Sequence, residues 1–256
     1  LLEWLFRFLC RCVFCVLQMG PIPEHIAFIM DGNRRFAKKL NLEEGEGHKA
    51  GYVAFTNLLK FCYELRVRYL TIYAFSIDNF RRPPEEVQST MDLIQSKIEE
   101  LLLDGSIIRR YGIRVYIVGN FRLLSESFLR TAEKAMRTTE GNSGAVLSIC
   151  VAYASTDEMA RAVEECCEEK ARGGGEEIEV GDIERHMCMA VSPDPDLIIR
   201  TSGETRLSNF LLWQSGYAML YSPTVLWPEF GVRHMLRIII EFQKNFAYLE
   251  RKRKRT

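Results

Sequence analysis

No sign of charge dominates this chain: 34 Lys and Arg stand against 34 Asp and Glu in 256 residues. A balanced chain has no general field to draw in nucleic acid or an acidic surface, so no nucleic acid is expected as a partner and any anion site must be local. Neither GxxxxGKS nor GxGxxG occurs, which removes the common nucleotide-binding loops. No linker or internal repeat is visible. Gly173-Gly174-Gly175 sits among glutamates between two helical patterns and reads as a surface loop, so one domain with a large core is expected.

The eight cysteines do not read as a disulfide framework. Cys62, Cys150 and Cys188 lie inside apolar runs of a chain long enough to need no staples, so reduced thiols in a cytosol-facing protein are expected. Cys12-Val-Phe-Cys15 has metal-ligand spacing, but no second such pair completes a site, and packing or lipid contact is the reading. A comfortable bilayer span is lacking as well, since the apolar stretch Leu1 to Met19 is short and carries Glu3, Arg7 and Arg11. It reads either as an interfacial amphipathic helix or as a helix packed on the domain or on a partner. Residues 1–20 are therefore set apart from residues 21–256.

What is present is alternation. Apolar, β-rich runs span His25 to Asp31, Tyr69 to Ser76, Ile113 to Gly119, Val146 to Ala154, Leu197 to Thr201 and, more weakly, Ala218 to Leu226. Helical patterns span His48 to Leu65, Pro84 to Leu103, Ser125 to Thr138, Thr156 to Ala171, Gly181 to Met189, Ser208 to Gly216 and Arg233 to Leu249. The expectation is an α/β single domain with a mostly parallel central sheet flanked by helices, preceded by an N-terminal apolar helix.

In such sheets ligands gather beyond the carboxyl ends of the strands. Three strand ends carry anion-binding groups: Asp31-Gly32-Asn33-Arg34-Arg35, the stretch Ser76 to Arg82, and the stretch Arg200 to Ser208. At the first, Gly lets backbone approach a ligand, the N–H groups opening the next helix face an anion, and arginine adds forked donors. The Asp31 carboxylate would repel phosphate unless a divalent cation lay between, and Mg²⁺ favours one or two carboxylates plus substrate oxygens. Taken alone, Asp-Gly-Asn is an ordinary β-turn, and Arg200 and Arg206 could simply pair with Glu204 and neighbours at the surface. The recurrence of such loops at successive strand ends favours two phosphorylated substrates.

The blocks Ile29 to Ala37, Tyr73 to Pro83 and Asp196 to Glu204, with Glu46-Gly47-His48-Lys49-Ala50-Gly51 and Asn209-Phe210-Leu211-Leu212-Trp213-Gln214, resemble the conserved blocks of the cis-prenyltransferase family, which includes undecaprenyl diphosphate synthase and eukaryotic dehydrodolichyl diphosphate synthases. The likeness runs from about Pro21 to Phe246, so residues 21–256 are expected to form the catalytic domain. It implies cis-prenyl chain elongation: isopentenyl diphosphate is condensed onto an allylic prenyl diphosphate, farnesyl diphosphate by expectation, to give a long dolichol-type polyprenyl diphosphate.

By the same resemblance Asp31 holds Mg²⁺ and acts in catalysis with Asn79, which helps proton loss. Gly32, Asn33, Arg34, Arg35, His48, Ser76 and Arg82 bind the allylic diphosphate, with Phe80 and Glu86 shaping the reacting centre. Arg200, Arg206 and Ser208 bind isopentenyl diphosphate. For His48 an ordinary helix-surface imidazole remains open. An apolar slot for the growing chain is expected along the Pro84 to Leu103 helix, from residues such as Phe55, Leu58, Met91, Leu93, Ile94, Ile98, Leu101, Leu102 and Leu103, any one of which could equally be plain core.

A trans-prenyltransferase is expected to be helical and to carry DDxxD motifs, and none occurs. A non-catalytic or regulatory subunit of a prenyltransferase complex is the alternative, against which the retained Asp31, Asn33 and Arg35 argue. Three departures from the bacterial pattern matter: Glu44 replaces an arginine, Met219 replaces a metal-binding glutamate, and no Arg-x-Gly tail follows Tyr248. The first puts a contact to the allylic diphosphate in doubt, and the other two imply a heteromer with a Nogo-B receptor-like subunit. The apolar Leu1 to Met19 segment suggests a place on the membrane surface, at the cytosolic face of the endoplasmic reticulum.

Overall fold

The computed structural model of the protein describes residues 12–173 and 177–254, the Glu44 side chain excepted. In chain order the elements are β1 (His25–Ile29), α1 (Asn33–Lys39), α2 (Glu44–Glu64), β2 (Tyr69–Ser76), α3 (Pro84–Leu101), α4 (Ile107–Tyr111), β3 (Arg114–Val118), α5 (Glu126–Thr138), β4 (Val146–Tyr153), α6 (Ser155–Gly173), α7 (Val180–His186), β5 (Leu197–Arg200), β6 (Met219–Tyr221) and α8 (Val232–Arg253). Short 3₁₀ turns cover Ile77–Arg81, Phe121–Leu123 and Trp227–Glu229. The strands belong to one six-stranded sheet, and the registered pairs β1/β5, β5/β6 and β3/β4 are parallel, as the alternation predicts.

The chain divides into two compact units, Leu1–Leu70 with Pro195–Thr205 and Tyr217–Thr256, and Thr71–Asp194 with Arg206–Gly216. In the first, β1 is buried at all five positions, which accounts for its unbroken apolar run. Phe28 is fully enclosed, with the rings of Trp227 and Phe230 at 5.9 and 5.7 Å. Asp196, just before β5, accepts the backbone N–H groups of Glu24 and His25 and pairs with Arg253 of α8 at 2.7 Å, so strand starts and terminal helix meet at one carboxylate.

The second unit packs α5 through Phe128, Ala132 and Ala135, all buried, and caps that helix with Ser125. Its buried polar centre is Glu158, 1% exposed. Tyr153 Oη donates to it at 2.5 Å, Cys188 Sγ at 3.1 Å, the Met189 N–H at 2.9 Å and Gln214 Nε2 at 3.2 Å. Burial, with the Glu158 carboxylate beside them, pushes the Tyr153 phenol and the Cys188 thiol well above their usual ranges.

Some expectations need correction. The helix expected over Ser208 to Gly216 is a series of turns, because Ser208, Asn209 and Leu211 have φ of 51, 59 and 48°, which no α-helix tolerates. Of the expected N-terminal helix, residues 1–11 lie outside the described residues and 12–17 are helical. Phe14 and Leu17 are buried, with Phe14 edge-on to Phe61 of α2, while Val13, Val16 and Met19 are exposed. Among the described residues no helix is long and apolar enough to cross a membrane. Cys62 is buried and its thiol is pushed up to about 12; the cysteines among the described residues are free thiols.

Candidate active site

The centre of the first unit is Asp31, two residues beyond β1. Its backbone is fixed first. Thr201 Oγ1 accepts the Asp31 N–H at 3.0 Å and donates to Asp31 O at 2.6 Å, and Ser202 Oγ and the Trp227 N–H also donate to that carbonyl, at 2.8 and 3.0 Å. Gly32 follows with φ 115°, and a Cβ there would lie 2.4 Å from Ser202 Oγ, so only glycine fits both the turn and the contact. Ser202 itself sits at φ 75°, backbone strain held in place by its N–H bond to Val225 O at 2.7 Å.

With the backbone held, the Asp31 carboxylate lies between two guanidinium groups. Arg200 Nη2 is 2.8 Å from Oδ2, and Arg35 Nη2, one turn into α1, is 3.1 Å from Oδ1. Arg35 Nη1 also reaches Glu204 Oε1 at 3.2 Å. Partial burial alone would raise the Asp31 pKa, but the hydrogen bonds and charges of Arg200 and Arg35 outweigh it and hold the carboxyl below its usual range. The Arg200 side chain is only 8% exposed. A guanidinium so buried demands an anion, and Asp31 supplies one here.

Asn33 opens α1 behind Gly32. Its Oδ1 is buried without a hydrogen-bond partner, against Gly51 of α2, a cost of about 1–3 kcal/mol that the fold accepts at this position. His48 is half-buried on α2, between Gly47 and Gly51, while Arg34 is exposed.

In the second unit Ser76 and Asn79 form a reciprocal cap: the Ser76 N–H donates to Asn79 Oδ1 at 3.0 Å, and the Asp78 N–H to Ser76 Oγ at 3.2 Å. Phe80 stands edge-on to Phe75 at 5.0 Å, and Arg82 pairs with Glu86 at 3.0 Å. Arg206 is exposed, and Ser208, at the left-handed φ noted above, has its carbonyl facing Tyr73 Oη at 3.4 Å. Ser208 therefore caps no helix. The segment after it is pinned to the start of α6: Ser155 N–H to Asn209 O at 2.7 Å, Thr156 N–H to Asn209 Oδ1 at 3.0 Å and Leu212 N–H to Ser155 Oγ at 3.0 Å.

The arrangement thus brings Asp31, Gly32, Asn33, Arg35 and Arg200 together, and separately Ser76 with Asn79 and Arg82 with Glu86. Arg200, grouped with Arg206 and Ser208 by the sequence reading, also pairs directly with Asp31. Thr201, Ser202, Glu204 and Trp227 escaped the sequence reading as site residues. The hydroxyls next to Arg200 were the available signal for the first two. Along α3, Met91, Leu93 and Ile94 are half-buried, Ile98 and Leu101 buried, and Leu103 is 61% exposed, so Leu103 lines no slot.

A family model described as "Putative undecaprenyl diphosphate synthase" matches residues 29–249. The chain is 53% identical to "Dehydrodolichyl diphosphate synthase CPT3" of Solanum lycopersicum, over 100% of this chain and 96% of that protein. It is 37% identical to "Dehydrodolichyl diphosphate synthase complex subunit DHDDS" of Homo sapiens, over 94% of this chain and 73% of that protein. Among solved structures, lavandulyl diphosphate synthase from Lavandula x intermedia, in complex with dimethylallyl diphosphate, superposes with a TM-score of 0.78 and 29% identity, over 86% of this chain and 95% of that one. A match across most of the chain, over residues that include the strand-end loops of the site, makes this chain a member of the undecaprenyl diphosphate synthase family of prenyltransferases.

Proposed function

We propose that the chain is a cis-prenyltransferase that adds isopentenyl diphosphate units to an allylic prenyl diphosphate, farnesyl diphosphate in the first instance, to make a dolichol-type polyprenyl diphosphate. The observation that carries the reading is the Asp31 carboxylate, kept ionised between Arg200 and Arg35 at strand ends, with an uncapped helix opening beside it. A carboxylate flanked by two guanidinium groups is suited to a diphosphate only if a cation joins them.

The donor set fits that cation. Among the described residues no three His, Cys, Asp or Glu side chains gather as a protein-built cage, and a single carboxylate suits Mg²⁺ that draws its other oxygens from diphosphate and water. When bound, Mg²⁺ supplies neutralisation of the charge that grows on the departing diphosphate. Gly32, Asn33, Arg34, Arg35 and His48 hold the allylic diphosphate, with Ser76 and Arg82. Arg200, Arg206 and Ser208 bind isopentenyl diphosphate. Asn79, its Oδ1 fixed by the Ser76 N–H, is the candidate for orienting the proton that leaves, to the released diphosphate, as the cis alkene forms.

Two finer readings belong to the same proposal. Met219 opens β6 and offers a thioether where Mg²⁺ needs hard oxygen, and the human relative is named as the subunit of a complex; both favour a heteromer with a Nogo-B receptor-like partner. Exposed Val16 and Met19, 66 and 86%, favour attachment of the N-terminal segment to the cytosolic face of the endoplasmic reticulum membrane.

The test is incorporation of radiolabelled isopentenyl diphosphate with farnesyl diphosphate, with and without Mg²⁺, by the chain alone and co-expressed with such a partner, followed by product sizing and alkene geometry. Metal-dependent cis product, higher with the partner, is expected. Absence of incorporation in both preparations overturns the reading.

A further inference from the structure

We propose that Trp227 is a positioning residue for the allylic diphosphate end of the site, an inference that rests on the roles of Asp31, Asn33 and His48 set out above. Trp227 is 1% exposed and has three separate engagements. Its backbone N–H donates to Asp31 O at 3.0 Å, its indole Nε1 donates to Gly51 O at 2.9 Å, and its ring stacks on Phe230 at 5.8 Å. A single residue thus grips both the Asp31 turn and the middle of α2.

The place where it grips α2 is the turn that carries His48. Gly47 and Gly51 flank that histidine and let α2 lie directly on Asn33: a Cβ on Gly47 would stand 2.3 Å from Asn33 O, and one on Gly51 2.3 Å from Asn33 Oδ1 and 3.0 Å from Trp227 Cδ1. Any rise of α2 away from the indole would separate His48 from the Gly32–Asn33 turn.

Core packing does not require the indole nitrogen. Phe28 and Phe230 need only an aromatic face, which phenylalanine supplies. Nor does α2 need the bond, because Gly51 O lies inside the helix and already serves as a helical acceptor, so the indole bond occupies its second lone pair. What the Nε1–H adds is the fixed height of α2 over Asp31 and Asn33.

Trp227→Phe removes that bond, and the unfilled volume of the lost ring should by itself lower the melting temperature somewhat. In whichever preparation carries activity, KM for the allylic diphosphate should rise about fivefold, the worth of one neutral hydrogen bond, while KM for isopentenyl diphosphate stays near wild type. Gly51→Ala approaches the contact from the other side. The helix propensity that alanine adds offsets only part of the cost of a Cβ 2.3 Å from the Asn33 amide, and the displaced amide should give the same one-sided KM change. Unchanged KM values for both substrates in the two variants, or KM values that move together with a fall in melting temperature, would overturn the proposal. If wild type itself turns over neither substrate, the functional reading falls and this inference with it, whereas an active wild type with no split between substrates removes the inference alone.

Discussion

The two units hold their anion-binding loops in different ways. In the first, charge is set against charge: Arg200 and Arg35 close on Asp31, and Glu204 takes the other end of Arg35. In the second, the loop that carries Arg206 and Ser208 is held through its backbone and neutral side chains by Ser155, Thr156, Asn209 and Gln214, with the buried Glu158 behind them. The ligand-binding groups of the first unit are thus paired before substrate arrives, and exchanging those partners for a diphosphate changes little net charge. In the second, the scaffold is fixed while the exposed Arg206 stays at the surface. Losing a residue of the first centre should therefore remove chemistry with little loss of fold, and losing the anchor of the second should do the reverse.

The largest expected effect tests the first half of that contrast. Asp31→Ala should lower isopentenyl incorporation at saturating Mg²⁺ by at least about 100-fold, the scale on which preorganised electrostatic groups act. Its melting temperature should fall only modestly: the Arg200 guanidinium, 8% exposed, loses that carboxylate, but the Asp31 side chain is 26% exposed and its pair with the exposed Arg35 contributes little. Near-normal turnover would remove Asp31 from the chemistry.

Glu158→Ala tests the other half. It strands Tyr153 Oη and Gln214 Nε2 as buried donors, each costing about 1–3 kcal/mol, which lowers the melting temperature by roughly 5–20 °C. A thermal midpoint within a degree or two of wild type would show that the Glu158 network anchors nothing.

Arginine variants sharpen the comparison further. Arg206→Ala should raise KM for isopentenyl diphosphate by about 10- to 100-fold, one charge-assisted bond, and leave the allylic KM alone. Arg200→Ala, which also releases Asp31, should disturb both substrates. Equal, one-sided effects from the two variants would mean that the pairing of Arg200 with Asp31 carries no functional weight.

These contrasts were only partly legible in the sequence. β2 has the bounds its β-rich run predicts, Tyr69 to Ser76, because a strand closed by a capping Ser announces its own end. The turns from Ser208 to Gly216 were misread as a helix: their apolar residues have helical spacing, but the left-handed backbone at Ser208 and Asn209 is imposed by contacts with Ser155 and Thr156, some 50 residues distant. At the site, residue types revealed that Asp31, Arg35 and Arg200 handle phosphate. That Arg200 would sit on Asp31, 169 positions away, depends on the register of β1 against β5, where Ile29 lies beside Arg200. Local pattern could not supply that register. Trp227 gives no local signal because its partners are backbone carbonyls, which every residue possesses.

The smallest expected effect concerns acid. Asp31 has its folded pKa held below the ordinary carboxylate value of about 3.9, so its ionised form favours the folded state. That contribution is complete above the unfolded value and is lost as pH falls through the folded one. The comparison to make is wild type against Asp31→Asn, by urea midpoint at pH 6 and again near pH 3. At pH 6 wild type should be modestly the more stable, because its carboxylate balances Arg200, whose side chain is 8% exposed. As pH falls below the unfolded value and through the folded one, the wild-type carboxyl takes up its proton and comes to resemble the asparagine, so the gap should narrow. Added salt should narrow it at pH 6 as well, since the Arg35 side of the pair is 48% exposed and screened. A gap that stays constant or widens in acid would mean that the guanidinium groups do not hold Asp31 ionised, and that charge pairing is not what distinguishes the first unit from the second.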